Sequence, residues 1–275
     1  MPTVHVTPEL IERVDLFGAQ FNLARMHAVS TLPGNPFDVE IRIFGNGGVA
    51  TKARHALLRG RNRIYNFGTS DLHLLDELLA FYRSDGLTCK IWVPHSQLTS
   101  ELFCRFSQAG LWSTGNGTVP VIISDGQANG ASLTDRTNLR IRLSEDDEKE
   151  LYLDIFQQAF ADREEHDPEY RAFQWAEDSL PGSPRYIAEI GGRPVGMASF
   201  PIVEGIAFFG TAGVIPKYRG LGVQLAMIQR RIADAPALGC GLVLGGSSPG
   251  TTEYRNFQRA GLQLIPTGSI WRETR

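Results

Sequence analysis

The residues best suited to chemistry in this sequence form a short, basic, glycine-spaced segment, Lys217–Gln224. It follows an apolar stretch and a proline and precedes a pattern typical of an amphipathic helix, so a strand, a loop and a helix are predicted. A helix start has unpartnered backbone N–H groups and the positive end of the helix dipole. Gly220 and Gly222 lack the Cβ that would keep an anion away, and Lys217 and Arg219 add positive charge. The segment predicts a site for a phosphate-bearing ligand.

Taken alone, a short R-x-x-G loop is a weak signal. The alternative interpretation is a tight strand-to-helix turn that carries a surface arginine. A P-loop is excluded because the G-x-x-x-x-G-K-[ST] spacing is absent, and a dinucleotide-binding fingerprint fits poorly because G-x-G-x-x-G is missing.

The wider segment Val214–Gly222 reads V-I-P-K-Y-R-G-L-G and resembles the acyl-CoA loop of the GNAT acetyltransferase superfamily. That loop is written V-x-P-x-Y-R-G-x-G, with the core Q/R-x-x-G-x-G/A. The downstream order also fits, with a predicted strand at Gly241–Leu244 and then a helix ending Phe257–Leu262. The predicted elements before the loop are a strand, two helices and a three-strand meander, as in the family. The resemblance covers Leu139–Arg275.

The resemblance implies an N-acetyltransferase that moves an acetyl group from acetyl-CoA to the amine of a small-molecule acceptor, without a metal. The loop amides would bind the CoA pyrophosphate, the end of the preceding strand would pair with the pantetheine arm, and a helix side chain, Asn256, would reach toward the CoA arm. The implied CoA-binding residues are Ala212, Gly213, Val214, Lys217, Arg219, Gly220, Leu221, Gly222, Val223, Gln224 and Asn256. Tandem GNAT-like proteins also transfer aminoacyl or long acyl groups, so the resemblance leaves the donor open.

Two positions depart from the family pattern. Gln224 replaces the final Gly/Ala of the core, so its side chain must point away from the ligand. Phe257 stands where the family usually has the tyrosine that protonates the leaving thiolate. Tyr254, on the same predicted helix, is the substitute acid, with helix-face packing as the alternative. Glu204, at a predicted turn, is the candidate base, with a solvated hairpin residue as the alternative.

A polar segment between two predicted helices often lines the acceptor site in this family. It contains further candidate bases, for which a polar surface loop is the alternative: Asp162, Glu164, Glu165 and His166. On the next helix, Tyr170, Phe173 and Trp175 are suited either to acceptor contact or, at helical spacing, to core packing.

The 275 residues suffice for two ordinary domains. The predicted elements indicate an α+β fold, with a mixed, mostly antiparallel sheet flanked by helices. The stretch Ser124–Thr137 is polar and contains glycine, which is typical of an interdomain linker. It divides the chain into a first domain over residues 1–125 and a GNAT domain over 138–275.

An internal repeat suggests that the two domains are tandem copies. The stretch Arg105–Leu111 resembles Asn256–Leu262, and a Thr-Gly pair follows each. The copies lie roughly 150 residues apart, which favours duplication of a whole domain over a solenoid; coincidence is the alternative, because Ala-Gly-Leu also ends helices generally. Where a CoA loop would stand, the first copy has Ser70 and Asp71, and an aspartate repels pyrophosphate. We therefore predict a degenerate first copy without a CoA loop.

Composition excludes several other classes of protein. The formal net charge is -3 with no basic patch, which disfavours a nucleic-acid partner. No stretch approaches the ~20 apolar residues of a membrane span. Three cysteines without a CxxC pair disfavour structural zinc and a disulfide framework. We expect a cytoplasmic protein, with a homo-oligomer compatible but not indicated. The competing function is a non-catalytic acyl-CoA-binding or regulatory protein.

Overall fold

A computed structural model describes residues 5–123, 138–160, 168–247 and 250–273. The predicted linker Ser124–Thr137 lies outside the described residues. The same holds for the polar segment with Asp162, Glu164, Glu165 and His166.

The described helices are α1 (Pro8–Ser30), α2 (Leu75–Arg83), α3 (Ser100–Gln108), α4 (Lys149–Ala159), α5 (Pro168–Asp178), α6 (Val223–Asp234) and α7 (Thr252–Ala260). The described strands are β1 (Val39–Phe44), β2 (Gly48–Ala53), β3 (Arg63–Tyr65), β4 (Lys90–Val93), β5 (Leu111–Ile123), β6 (Leu139–Leu143), β7 (Arg185–Ile190), β8 (Arg193–Ser199), β9 (Ile202–Val203), β10 (Ile206–Phe209), β11 (Ala212–Val214), β12 (Leu242–Gly245) and β13 (Gln263–Glu273).

The N-terminal compact unit comprises Val6–Thr118 and Ile265–Arg275. Its strands run in the order β1-β2-β3-β4-β13-β5, and β3–β4 is a parallel pair. Thr7 caps α1, because its Oγ1 accepts from the Leu10 amide at 3.2 Å. Strand β2, whose residues are all buried, was not predicted from the sequence.

The C-terminal unit comprises Met1–His5 and Val119–Leu264. One set of its strands runs in the order β5-β12-β10-β9, and a second sheet runs β11-β8-β7-β6. The pair β10–β12 is parallel, with α6 between the two strands in the chain. One core cluster packs α6 against these strands, and a second packs α4 under β7 and β8.

The predicted α+β fold is confirmed, with mostly antiparallel sheets flanked by helices. The repeated segments also have matching structures. Helices α3 and α7 are each followed by a glycine in the left-handed region, Gly110 (φ +74°) and Gly261 (φ +96°). The long strand after each helix contains a second such glycine, Gly115 (φ +150°) and Gly268 (φ +121°). This match favours duplication over coincidence.

The linker-based boundary assigns the end of the chain to the second domain, but in the structure it belongs to the N-terminal unit. Residues 265–275 fall within the predicted 138–275 domain, but they belong to the N-terminal unit. Ser269–Arg272 pair with β4, and Trp271 packs edge-to-face on Phe106 with ring centroids 5.1 Å apart. A linker-based boundary cannot detect this pairing, because the two strands are far apart in sequence.

Within the described stretches, every helix is too short or too polar to cross a bilayer.

Candidate functional site

The site is built around a point where the chain steps from one sheet to another. The apolar stretch before the loop, predicted to be one strand, is two strands, β10 and β11, separated by Gly210 and Thr211. β10 pairs with β12, whereas β11 pairs with β8. A Cβ on Gly210 would overlap the side chains of Ser199 and Pro201, so only glycine fits this step. In the order β11-β8-β7-β6, β11 is therefore an edge strand.

The open edge of β11 carries backbone groups that can pair with an extended ligand. Thr211 and Ile215 direct their backbone groups to β8. Because hydrogen-bonding direction alternates along a strand, the groups of Ala212 and Val214 lie on the open edge. The Val214 carbonyl accepts from Arg219 Nε at 3.1 Å. Three groups are left for a ligand: both backbone groups of Ala212 and the N–H of Val214.

The loop after β11 ends in a helix start that has no side-chain cap. A single 3₁₀ turn, Pro216–Tyr218, leads to Gly220 and Gly222, both at φ +80°. Gly222 is the N-cap of α6 and makes no side-chain capping bond. A Cβ at Gly220 would lie in open space. The first-turn N–H groups of α6 therefore lack a capping side chain, as a bound anion requires.

These elements surround a cleft of about 640 Å³. Its walls are β11, the loop, the end of α4 and one face of α7. It is lined by Ala159, Phe160, Ala212, Gly213, Val214, Tyr218, Arg219, Gly220, Gly222, Val223, Gln224, Leu225, Thr252, Asn256 and Arg259. Two arginines and no acidic side chain are among these residues, so the cleft favours an anionic ligand.

Arg219 fixes the shape of the loop. Its Nη2 donates to the Ala159 carbonyl at 2.7 Å, and its Nε donates to Val214. The sequence predicts this arginine as a cation for the ligand, but its guanidinium joins the last residues of α4 and β11. A Cβ on Gly213 would lie 2.7 Å from the Ala159 Cβ, so glycine is what allows α4 to approach β11 this closely.

The family pattern predicts that the Gln224 side chain points away from the ligand, but in the structure Gln224 lines the cleft. Its Oε1 accepts from Asn256 Nδ2 at 2.8 Å, and both residues line the cleft. The bond joins the first turn of α6 to the middle of α7. The predicted CoA-arm residue Asn256 thus also positions the loop helix.

Four predicted site residues do not line this cleft. Lys217 lies over the Tyr218 ring at 5.0 Å, and Leu221 is 46% exposed. Tyr254 stands two residues from both Thr252 and Asn256, which places it on another face of α7. Glu204 is exposed in the turn between β9 and β10, at φ +50°.

Conversely, the cleft contains residues that the motif did not single out. Thr252 and Arg259 join Asn256 on one face of α7, at the helical spacing i, i+4, i+7. The sequence contains this spacing, but no local pattern indicates which face of α7 contacts the loop. Arg259 is exposed and has no carboxylate within 4 Å in the described part of the chain.

The aromatic residues near the predicted site are core residues. Phe257 is 1% exposed, and its ring centroid lies 5.1 Å from that of Phe209. The usual tyrosine position is thus filled by a packed side chain without a proton to give. Phe173 is buried, and Tyr170 and Trp175 pack against the α4 cluster. The core-packing interpretation of these three residues is the one that fits.

A buried carboxylate that the sequence analysis missed lies beneath the strand step. Asp178 accepts hydrogen bonds from Tyr152 Oη (3.1 Å), Gln174 Nε2 (2.6 Å) and Ser199 Oγ (2.8 Å). Gln174 also contacts Thr211 Oγ1 at 2.9 Å. Burial raises the pKa of Asp178 to about 6, against the opposing effect of Gln174 and Ser199. The network connects α4, α5 and β8 to the residue at which β10 gives way to β11.

A buried cation holds α6 in place. Arg231 is 1% exposed, donates to the Ser199 carbonyl at 2.9 Å and lies over the Phe209 ring at 4.6 Å. No carboxylate of the described residues lies within 4 Å of it. Burial lowers its pKa to about 10.

Among the described residues, no three His, Cys, Asp or Glu side chains are grouped to hold a metal ion.

Residues 149–261 match the model of the Acetyltransferase (GNAT) family. This segment is a GNAT-family domain. No curated protein matches the chain significantly.

Solved structures share the fold over nearly the whole chain. A GCN5-related N-acetyltransferase from Kribbella flavida is 12% identical with a TM-score of 0.59, covering 92% of this chain and 96% of that one. FemX is 8% identical with a TM-score of 0.57, covering 100% and 98%. L-PGS from Bacillus licheniformis is 11% identical with a TM-score of 0.54, covering 98% and 92%. The identities are too low to extend the likeness beyond the fold, which here includes both units.

Replacing Arg219 with lysine tests its structural role in the GNAT domain. Arg219→Lys keeps the charge but loses the guanidinium fork that holds two carbonyls. We expect the free energy of unfolding to fall by about 1–3 kcal/mol, measured by urea denaturation. The control Lys217→Gln, which lies outside the cleft, should change it by less than about 0.5 kcal/mol. An Arg219→Lys protein with the native free energy of unfolding would show that the two hydrogen bonds do not fix the loop.

Replacing Asp178 with asparagine tests its titration. The folded-state pKa of about 6 exceeds the unfolded value near 3.8, so the native state holds the proton more tightly. This contribution to stability is complete below about pH 4 and is lost as the pH rises through 6. The stability of Asp178→Asn relative to native should therefore rise by roughly 2.5 kcal/mol between pH 4 and 7. A pH-independent difference between the two proteins would contradict this assignment.

Proposed function

We propose that the protein is an N-acetyltransferase that moves the acetyl group of acetyl-CoA to the amine of a small-molecule acceptor in the cytoplasm. The observation that carries the proposal is the cleft in which an open strand edge meets an uncapped helix start. One half suits an extended chain with amide groups, and the other suits a diphosphate. Acetyl-CoA has both parts in that order.

Each part of the donor has a matching group in the cleft. The pantetheine amides would pair with Ala212 and Val214 on the edge of β11, as a peptide adds to a sheet edge. The pyrophosphate would lie on the amides from Gly220 to Gln224, where fixed dipoles need no reorganisation. Arg259 would supply positive charge to the pyrophosphate, because its side chain is exposed, whereas the Arg219 guanidinium is bound to two carbonyls. Gly213 keeps the path beside α4 narrow and free of a side chain.

The reaction that follows is aminolysis of a thioester. The neutral amine nitrogen attacks the acetyl carbonyl, a C–N bond forms, the C–S bond breaks, and the amine proton is lost. A thiol pKa of about 8.5 makes the CoA thiolate a tolerable leaving group without a strong acid. A primary amine has a pKa near ~10 and needs a base. We retain Glu204 as the proposed base and Tyr254 as the proposed acid, although neither lines the cleft.

One observation favours a second function, a non-catalytic acyl-CoA-binding protein. The position usually held by the catalytic tyrosine is Phe257, and it is packed against Phe209 in the core. Binding and turnover must therefore be measured separately.

Acetyl-CoA binding is tested with two matched glycine variants. Gly220 lines the cleft at φ +80°, and Gly239 lies elsewhere in the same unit at φ +73°; a Cβ at either position meets open space. Changing each to glutamate adds the same charge and similar backbone strain. In calorimetric titration of acetyl-CoA, we expect Gly220→Glu to weaken binding at least about 100-fold and Gly239→Glu to change it less than about threefold. Equal effects in the two variants, or no binding by the native protein, would sink the CoA assignment.

Turnover is tested by CoA thiol release with a panel of amines. We expect acetyl-CoA-dependent release with at least one amine, and acetyl-CoA binding without release would favour the non-catalytic function. Because Tyr254 is the proposed acid, Tyr254→Phe should lower kcat about tenfold or more with unchanged acetyl-CoA affinity. A loss of less than about threefold would contradict this role and leave Tyr254 as a helix-face packing residue. Glu204→Gln in the same assay tests the base through the pH profile of kcat.

A further inference from the structure

The N-terminal unit contains a cavity of about 770 Å³, well away in sequence from the GNAT loop. It lies beside the start of β4, the end of β13 and the turn after α2. Its lining includes Asp85, Lys90, Trp112, Arg272 and Glu273.

Three cations stand side by side on adjacent strands, and two of them, Lys90 and Arg272, line this cavity. Lys90 on β4 is the direct partner of Arg63 on β3 and of Arg272 on β13. Direct partners point to the same face of a sheet, and like charges in such positions destabilise it. Burial, followed by the charges of Arg63 and Arg272, lowers the pKa of Lys90. Repulsion among these three cations therefore lowers the stability of the ligand-free protein.

The carboxylates in the cavity wall do not neutralise this row. Glu273 is paired with Arg83, whose Nε lies 2.6 Å from Oε1. Asp85 is paired with Lys52 and with Arg54 Nη2 at 3.0 Å. In the described residues, no carboxylate lies within 4 Å of Lys90 or Arg272. The row is thus left with an excess of positive charge facing the cavity.

The same cavity offers a flat apolar surface beside the charges. Trp112 on β5 is 49% exposed, and β5 lies next to β13. Thr114, two residues on, bonds the Ile270 carbonyl at 3.1 Å, which fixes the two strands together. An exposed indole face suits an aromatic ring, such as a nucleobase.

We propose that this cavity is a second ligand site, which binds a small phosphorylated molecule with its phosphates on Lys90 and Arg272 and a ring against Trp112. Two adjacent cations match a group with two negative charges, and the arginine fork matches phosphate oxygens. The ligand would replace like-charge repulsion with attraction. The site does not depend on the acetyltransferase proposal.

The test is calorimetric titration of ADP and of inorganic pyrophosphate into the full chain carrying Gly220→Glu. That change blocks the loop site, so binding there cannot be mistaken for binding at the cavity. We expect both probes to bind, and to bind more weakly as salt is raised. Lys90→Gln and Arg272→Gln should each weaken binding about tenfold or more. Trp112→Ala should weaken ADP binding while pyrophosphate binding stays within about twofold.

Controls separate this site from a merely structural role. Arg13→Gln removes one exposed cation from α1 of the same unit and should change binding less than about twofold. Lys90→Gln should leave the melting temperature unchanged or raise it, because it relieves repulsion. The proposal is overturned if neither probe binds at millimolar concentration in low salt, or if Lys90→Gln and Arg272→Gln bind as the parent does. Failure of acetyl-CoA to bind the native loop would leave these outcomes as they are.

Discussion

The site depends on a sideways step of the backbone between β10 and β11. At Gly210 and Thr211 the chain leaves its pairing with β12 and joins β8. A continuous strand would have both edges paired and could not receive a ligand along its edge. The step leaves the edge of β11 open, immediately before the loop and the uncapped start of α6. The open edge and the helix dipole thus face one cleft, because only residues 215–219 separate the end of β11 from Gly220.

Maintaining that step requires buried polar groups. Asp178, Ser199 and Thr211 form one network under it, and Arg231 reaches the Ser199 carbonyl from α6. Burying charged groups is costly, so these side chains are weak evidence for stability. Their hydrogen bonds have defined directions, however, and they join α4, α5, α6 and β8 to a single point. A purely apolar contact would not select the same register for the split strand.

The two units present different anion chemistry on related elements. In the GNAT domain the proposed phosphate site uses backbone amides and left-handed glycines, while Arg219 is committed to two carbonyls. In the described residues of the N-terminal unit, the positive charge at the proposed cavity site comes from side chains on neighbouring strands. Fixed dipoles give a site of constant geometry, whereas lysine and arginine side chains adapt to their ligand but repel one another without it. This contrast is expected if the fold was duplicated, the first copy lost its loop, and that copy binds an anion at a different place.

Elements and motifs whose signals are local could be predicted from the sequence. The helix after the loop and the helix that ends in Phe257–Leu262 form as predicted, because amphipathic spacing and glycine stops act over a few residues. The family and the α+β class followed from the loop and the element order. Features that depend on residues distant in the chain could be seen only in the folded protein. The tertiary structure split Ile206–Val214 between two sheets, placed Ile265–Arg275 with the N-terminal unit, and turned Arg219 toward carbonyls. It brought Thr252 and Arg259 to the cleft, set Tyr254 and Glu204 outside it, and aligned Lys90 with Arg272. In each case the deciding contact joins residues far apart in the chain, and no local pattern records which strand or face will meet which.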